Sequence, residues 1–305
     1  MKTVASDSQA LGVISGAAAY TLWGILPLYW KLIDQVPAPE ILAHRVLWSF
    51  GFVLLIALLT KRVRAVLSEW RTLMAESRRR RSMLLAAAFV SINWLIYIWA
   101  VNNNRILETS LGYYINPLVN VLLGIIVLKE KLTFWQSVAV GLATAGVLIM
   151  AVNFGSVPWV ALALAGTFGI YGLCKKLVNV NPLSSIALET LLVSPVALGY
   201  IGFLAYHGNS AFAFASPRTC LLLMGTGVVT AIPLILFANG ANRLSLSTMG
   251  FLQYLSPTLA LLIGVFVFHE PFTRVHLASF GLIWLALAVY SLSRTRLLRP
   301  EGGNT

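Results

Sequence analysis

Long apolar runs dominate the chain, and short connectors containing charged residues, proline or glycine separate them. Each run approaches the ~20 residues that a helix needs to cross the ~30 Å hydrocarbon core of a bilayer. The pattern predicts an all-α integral membrane protein with ten transmembrane helices. The predicted spans are residues 10–32, 40–60, 83–102, 107–128, 134–152, 156–175, 184–206, 219–240, 246–268 and 274–293.

Composition supports lipid as the solvent of this chain. Hydrophobic residues make up 58% and charged residues 10%, whereas soluble domains carry about 25% charge. The net charge of +12 would suggest nucleic-acid binding in a soluble protein. Here the basic residues lie in connectors between apolar runs, as in cytoplasmic loops of membrane proteins. We therefore expect membrane lipids and no nucleic acid among the partners.

The distribution of Lys and Arg predicts the orientation. With ten spans and the N-terminus inside, most of the 22 basic residues face the cytoplasm, and the largest group lies in connector 61–82. We interpret 61–82 as a basic cytoplasmic loop that rests on anionic headgroups. Residues 1–9 and the basic tail 294–305 are then both cytoplasmic.

Self-comparison of the sequence reveals an internal repeat. At an offset of 140 residues, Tyr114 matches Tyr254, Pro117 matches Pro257 and Glu130 matches Glu270. At an offset of about 145 residues, Trp23 corresponds to Phe168, Pro37 to Pro182 and His44 to Glu189. The chain reads as two five-helix halves, 10–152 and 156–293. Because five is odd, the second half is predicted to be inverted, an architecture common in secondary transporters.

The flanks of the repeated glutamates agree with inversion. Lys129 and Lys131 flank Glu130 on the predicted cytoplasmic side, while their counterparts are His269 and Pro271. The positive charges disappear where the second half faces outward, and the acid stays.

Polar residues within spans are candidates for a substrate cavity, because a buried charge there costs about 2.5–3.5 kcal/mol on insertion scales. Arg45 either reaches the headgroups or faces a cavity. Glu189 either pairs with Lys175 or Lys176 or acts as a protonatable coupling group. The candidate cavity residues are His44, Arg45, Asn93, Tyr97, Tyr114, Asn116, Glu189, Gln253 and Tyr254.

Two prolines predict symmetric helix kinks. Pro117 and Pro257 fall inside spans four and nine, where each removes a backbone hydrogen bond. Polar neighbours could satisfy the freed groups, so each kink is either part of a midplane site or a packing feature.

Motifs for catalysis or metal binding are lacking in the sequence. It contains no paired-cysteine or histidine-rich metal spacing and no phosphate-binding loop. We therefore predict no enzyme activity, no cofactor and no metal.

Three stretches carry a family resemblance: 93–131 (NWLIYIWAVNNNRILETSLGYYINPLVNVLLGIIVLKEK), 24–49 and 248–257. They resemble RarD-type members of the EamA family in the drug/metabolite transporter superfamily. The resemblance implies a ten-helix carrier of the bacterial inner membrane with duplicated halves and a central cavity, driven by proton exchange or facilitated diffusion. It transfers no site residues.

These observations predict a secondary-active transporter that moves a small metabolite or drug by alternating access. Export is the favoured direction, and protons are a candidate coupling ion. The alternative is a facilitative channel or lipid-handling protein built on the same bundle.

Overall fold

Helices form nearly all of the computed structural model, which describes residues 2–102, 106–153, 158–212, 216–267 and 273–293. A short 3-10 helix, Lys31–Ile33, follows the first α-helix. The α-helices of the described residues are α1 Lys2–Trp30, α2 Ala38–Leu59, α3 Val63–Ala75, α4 Ser77–Asn102, α5 Ile106–Ile126, α6 Phe134–Asn153, α7 Trp159–Val178, α8 Pro182–Tyr206, α9 Pro217–Arg243, α10 Leu246–Gln253, α11 Leu255–Phe266 and α12 Arg274–Leu292.

Eight segments of the described chain are long and apolar enough to cross a membrane. Predicted span three falls within α4 and predicted span four corresponds to α5, which ends two residues earlier and contains a shorter apolar stretch, Leu111–Ile126. Large apolar side chains cover much of the bundle's outside, including Val152 and Val196, which are 78% and 75% exposed. Such a surface fits hydrocarbon rather than water. The protein is an all-helical, multi-pass membrane protein.

Connector 61–82 is not a loop, contrary to our interpretation. Residues 63–75 form α3, and α4 begins at Ser77. Val63, Val66, Trp70 and Leu73 recur at intervals of three or four residues, which gives α3 one apolar face. Leu73 is fully buried in a cluster with Met83 and residues of α7 and α8. The helix forms because its apolar stripe is covered by the bundle.

The predicted ninth span is interrupted. Helix α10 ends at Gln253 and α11 begins at Leu255, two residues before Pro257. Proline lacks the amide hydrogen that would continue the helical bonds across this point. Helix α5 passes through Pro117 without a break. A Cβ on Gly250 would lie 2.7 Å from the Pro117 carbonyl oxygen, so glycine is what allows α10 to pack closely on α5.

The bundle presents two ends. One, called the basic face, carries α3 and the α5–α6, α7–α8 and α9–α10 connections. Contacts there join Arg79 to the Val178 carbonyl and Glu130 to Ser247. The other, called the opposite face, carries the α1–α2 and α8–α9 connections, which meet where Ser210 binds Glu40. The candidate sites lie between these ends.

Candidate functional site

Lys175 of α7 and Glu189 of α8 form a buried ion pair. Their Nζ and Oε1 atoms are 2.6 Å apart, and both side chains are almost fully buried. Ser185, one turn before Glu189, accepts a hydrogen bond from Lys175 Nζ at 2.6 Å and donates one to Glu189 Oε1 at 3.3 Å. Two buried charges are tolerated because each has the other and a hydroxyl as partner.

Local sequence brings this pair together. Asn179 takes the left-handed conformation that ends α7, and the Asn181 side chain caps α8 by accepting from the Leu183 amide. The short connection returns the chain beside Lys175. Of the two lysines that the sequence offered as partners, Lys176 instead donates to the carbonyls of Ala241 and Leu244 at the end of α9. Its position there suits the negative end of a helix.

An aromatic core adjoins the ion pair. The Tyr171 hydroxyl donates to Glu189 Oε2 at 3.2 Å, and its ring stacks on Phe237 with centroids 5.8 Å apart. Trp23 and Phe168, which hold matching positions in the two repeats, meet edge to face at 5.8 Å. Tyr20 completes the group through contacts with Trp23 and Phe237. The ion pair therefore borders a set of rings shared by α1, α7 and α9.

Arg45 points into the bundle rather than towards headgroups. Its guanidinium carbon lies 4.8 Å from the Trp30 ring centroid and 4.7 Å from that of Trp94. Its Nε donates to Thr230 Oγ1 at 3.1 Å. Two indole faces and a hydroxyl stabilise a cation at this depth. Trp94 also packs against the hydrophobic cluster that contains the aromatic core.

Two candidate asparagines tie helices together. Asn93 Nδ2 donates to the Leu164 carbonyl at 3.0 Å and to Thr167 Oγ1 at 2.9 Å, both on α7. Asn116 Nδ2 donates to the Ala165 carbonyl at 2.6 Å. These bonds fasten α4 and α5 to α7, a common use of amides between membrane helices. A ligand could use the same amides only by exchanging these bonds.

Gln253 belongs to a buried amide chain that crosses between halves. Asn120 Nδ2 donates to Gln253 Oε1 at 2.9 Å and to Asn116 Oδ1 at 3.2 Å. Asn120 was not among the cavity residues predicted from the sequence. Its position one turn after Asn116 could have revealed it, because residues four apart share a helix face.

The candidate tyrosines lie in two places. Tyr97 is half-buried against Tyr113, with ring centroids 6.1 Å apart. Tyr114 donates to the Pro257 carbonyl at 3.3 Å and packs edge to face on Phe280. Tyr254 sits at the break between α10 and α11, and its buried hydroxyl has no hydrogen-bond partner. The two prolines thus lie in one region where α5 meets α10 and α11.

His44 lies near the opposite face, away from Glu189. Its Nδ1 accepts a hydrogen bond from Trp48 Nε1 at 3.2 Å, and its Nε2 is 4.0 Å from Glu40 Oε1. Glu40 is fully buried, although sequence reasoning missed it. A carboxylate in the first turn of a helix is explained by its favourable interaction with the helix dipole, so the sequence alone gives no reason to assign Glu40 to a site.

Glu130 anchors α10 at the basic face. Its Oε1 accepts the Leu246 amide at 2.7 Å, and its Oε2 accepts the Ser247 amide and hydroxyl at 3.0 and 2.6 Å. A carboxylate at a helix N-terminus satisfies otherwise unbonded amides. Its repeat partner Glu270 falls outside the described residues.

The nine sequence candidates do not form a single site. Arg45, the aromatic core and the Lys175–Glu189 pair form a continuous region between the halves, which we call the central site. The remaining candidates lie in three other places: the chain of buried amides, the region around Pro117 and Pro257, and the surroundings of His44. Within the described residues, no three His, Cys, Asp or Glu side chains gather as a metal site would require.

Comparison with known proteins connects this architecture to membrane transport. The EamA-like transporter family matches residues 10–152 and 157–292. The chain is 49% identical over 290 residues to "Uncharacterized transporter YojE" of Bacillus subtilis, covering 95% of this chain and 96% of that protein. It is 43% identical to "Protein RarD" of Streptomyces exfoliatus, covering 97% and 92%.

A solved crystal structure shares the fold, with a TM-score of 0.69 at 18% identity, over 95% of this chain and all of the other. The family and the names of the relatives point to a membrane transporter with two family repeats rather than to an enzyme. The chain belongs to the EamA-like transporter family, and its RarD-named relatives make it a RarD-type member. The resemblance seen in the sequence is confirmed.

Proposed function

We propose that this protein is a secondary-active carrier that moves a small organic solute by alternating access, with export as the favoured direction. One observation carries the proposal: a buried Lys–Glu pair and a ring-stacked Arg border aromatic side chains contributed by both halves. Charged residues inside a membrane bundle are typical of substrate or ion pathways. The rings suit a planar or apolar part of a solute, and the charges suit its polar ends.

We propose ten spans, with α10 and α11 sharing the ninth. Contacts between the halves support an inverted repeat, because they occur in matching pairs. Helix α1 packs on α9 as α7 packs on α4, and α1 packs on α11 as α7 packs on α5. The pairs α2–α8, α5–α10 and α6–α12 join equivalent helices. Exchange of conformations between two such halves would open the central site to each side in turn.

We place the basic face in the cytoplasm of a bacterial cell, with the protein in the inner membrane and both chain ends inside. Connector 61–82 supports this placement, since it carries eight Lys and Arg residues. The helix α3 found there fits an interfacial helix, with an apolar face against the bundle and basic residues near anionic lipid.

We propose Glu189 as the proton-coupling residue. A cationic group of the solute would compete with a proton for the Glu189 carboxylate, because protonation neutralises Glu189 and removes its attraction for that group. Once the solute has left, deprotonation would restore the 2.6 Å pair with Lys175. Such competition between a proton and a solute for one charged site is a direct route to exchange transport.

Purified protein in liposomes tests the proposal with radiolabelled amino acids, nucleosides and amphenicols as probes. We expect at least one probe to move faster than in empty liposomes, with a rate that depends on the pH gradient. Glu189→Gln should abolish the dependence on the gradient. Glu76→Gln on the exposed α3–α4 junction is the matched control and should keep it.

Two outcomes would overturn the proposal. Unitary currents in a planar bilayer would indicate a facilitative channel, because a carrier moves solutes one cycle at a time. Unchanged gradient dependence in Glu189→Gln would remove Glu189 from coupling.

A further inference from the structure

A second ionisable pair lies at the opposite face, on the first two turns of α2. Glu40 is fully buried and His44 is 3% exposed, one turn further along the same helix. His44 Nε2 lies 4.0 Å from Glu40 Oε1. Both His44 Nε2 and Glu40 Oε2 are buried without any hydrogen-bond partner. Buried polar atoms are normally paired, so two unpaired atoms on adjacent ionisable groups require an explanation.

Glu40 also holds a segment of the α8–α9 connection. Its Oε1 accepts the Ser210 hydroxyl at 2.9 Å and the Ala211 amide at 2.7 Å. Phe212 stacks on the His44 ring with centroids 4.9 Å apart. The group Glu40, His44, Ser210, Ala211 and Phe212 is called the outer latch. It joins α2 of the first half to the α8–α9 connection of the second.

Trp48 fixes which atoms can take a proton. Its indole N–H donates to His44 Nδ1, so that nitrogen carries a lone pair, and a neutral imidazole then holds its proton on Nε2. Glu40 Oε1 already accepts two bonds, whereas Oε2 accepts none. Oε2 is therefore the atom of this pair that is available for an additional proton.

The charges around the pair leave Glu40 without a permanent counter-ion. Arg45, the next residue after His44, is held by Trp30, Trp94 and Thr230 instead. The other charged residues and histidines that the described chain brings to this end are Lys31, Asp34, His207, Arg218, Arg274 and His276. No ion pair of Glu40 other than the one with His44 occurs among the described residues.

We propose that Glu40 and His44 form a proton-binding site at the opposite face, and that loading this site releases the outer latch. Protonation at Glu40 Oε2 converts the carboxylate into a neutral acid, whose remaining oxygen is a weaker acceptor for Ser210 and Ala211. The 210–212 segment then separates from α2. If the basic face lies in the cytoplasm, as proposed, this site lies on the external side, and external protons would control access there.

Hydrogen exchange of the intact protein tests the latch. After correction for intrinsic rates, we expect the Ala211 and Phe212 amides to exchange about tenfold faster at about pH 4 than at about pH 8, an interval that contains the ordinary titration ranges of both side-chain types. Glu40→Gln mimics the neutral acid and should exchange fast at both values. Glu76→Gln, on an exposed acid at the basic face, should behave like the parent protein.

Infrared difference spectra between the same pH values test the proton directly. We expect a protonated-carboxyl C=O band that is lost in Glu40→Gln and kept in Glu76→Gln. An identical band in both variants, or pH-independent exchange of residues 211–212 in the parent protein, would overturn the proposal. Neither measurement requires transport, so a failure of the proposed carrier function would leave these results standing, and the reverse also holds.

Discussion

Positions 44 and 189 are equivalent in the two repeats, and the surroundings of these positions differ. In the second half, Glu189 pairs with Lys175 and with Ser185 one turn earlier. In the first half, the acid is displaced by one turn to Glu40, the equivalent of Ser185, and a histidine takes the place of Glu189. The same scaffold therefore presents a carboxylate paired with a lysine at one end and a carboxylate without such a partner at the other.

The positive charge is also handled differently. Lys175 corresponds to Trp30 in the first half, and Trp30 covers the guanidinium of Arg45. The first half thus keeps a cation near this level but stabilises it with aromatic faces instead of an acid. Duplication conserved the placement of polar groups, while substitution separated the acid from the cation. The two halves therefore hold one buried carboxylate with a cationic partner and one without, so the two acids are expected to bind protons under different conditions.

The largest effect is expected from Lys175→Met. It leaves the Glu189 carboxylate buried without a cation, which should destabilise the fold by about 3–5 kcal/mol. Thermal unfolding in detergent measures the change. The double variant Lys175→Met/Glu189→Gln removes both charges and should recover most of the loss. A double variant as unstable as the single one would contradict the conclusion that Lys175 and Glu189 stabilise each other's charge.

The matched serines provide an intermediate test. Ser185→Ala removes a buried hydroxyl that contacts both Lys175 and Glu189, so we expect a loss of about 1.5–3 kcal/mol. Ser210→Ala removes a half-buried donor to Glu40, while the Ala211 amide still binds the same oxygen. We expect about 1 kcal/mol or less for this variant, confined to local exchange of the latch. An equal loss of unfolding free energy in the two serine variants would contradict the inferred difference between the surroundings of Glu189 and Glu40.

Trp48→Phe should have a small effect on stability, comparable to that of Ser210→Ala. It deletes the indole donor to His44 Nδ1 and keeps an aromatic ring, so unfolding should change by about 0.5–1.5 kcal/mol. The histidine can then accept a proton on Nδ1, and the resulting cation stabilises the ionised Glu40 carboxylate, so latch release should begin at a lower pH. Hydrogen exchange of Ala211 and Phe212 across pH measures the shift. An unchanged midpoint would show that Trp48 does not set the proton position.

Much of the architecture followed from the sequence because hydrophobic length and periodicity are local properties. The two prolines for which the sequence predicted kinks differ in their helices: one helix ends and another begins just before Pro257, whereas Pro117 lies in an unbroken helix. Glu189 had two candidate lysines, and the choice of Lys175 depends on how α7 and α8 diverge after their short connection. Helix α3 escaped prediction because its apolar stripe is short and is stabilised by Met83 of the next helix and by Leu188, which is distant in sequence.

The sequence by itself determined the solvent, the helical class and the duplication, since each depends on residue type counted along the chain. The partners of the polar side chains were decided only in three dimensions. Arg45 turned inward because α1 and α4 bring two tryptophans to it, and Glu40 became buried because Ser210 and Ala211 close over it from the other half. The Glu40 contacts join residues 170 and 171 positions apart, and the Arg45 contacts join different helices, so no local pattern encodes them.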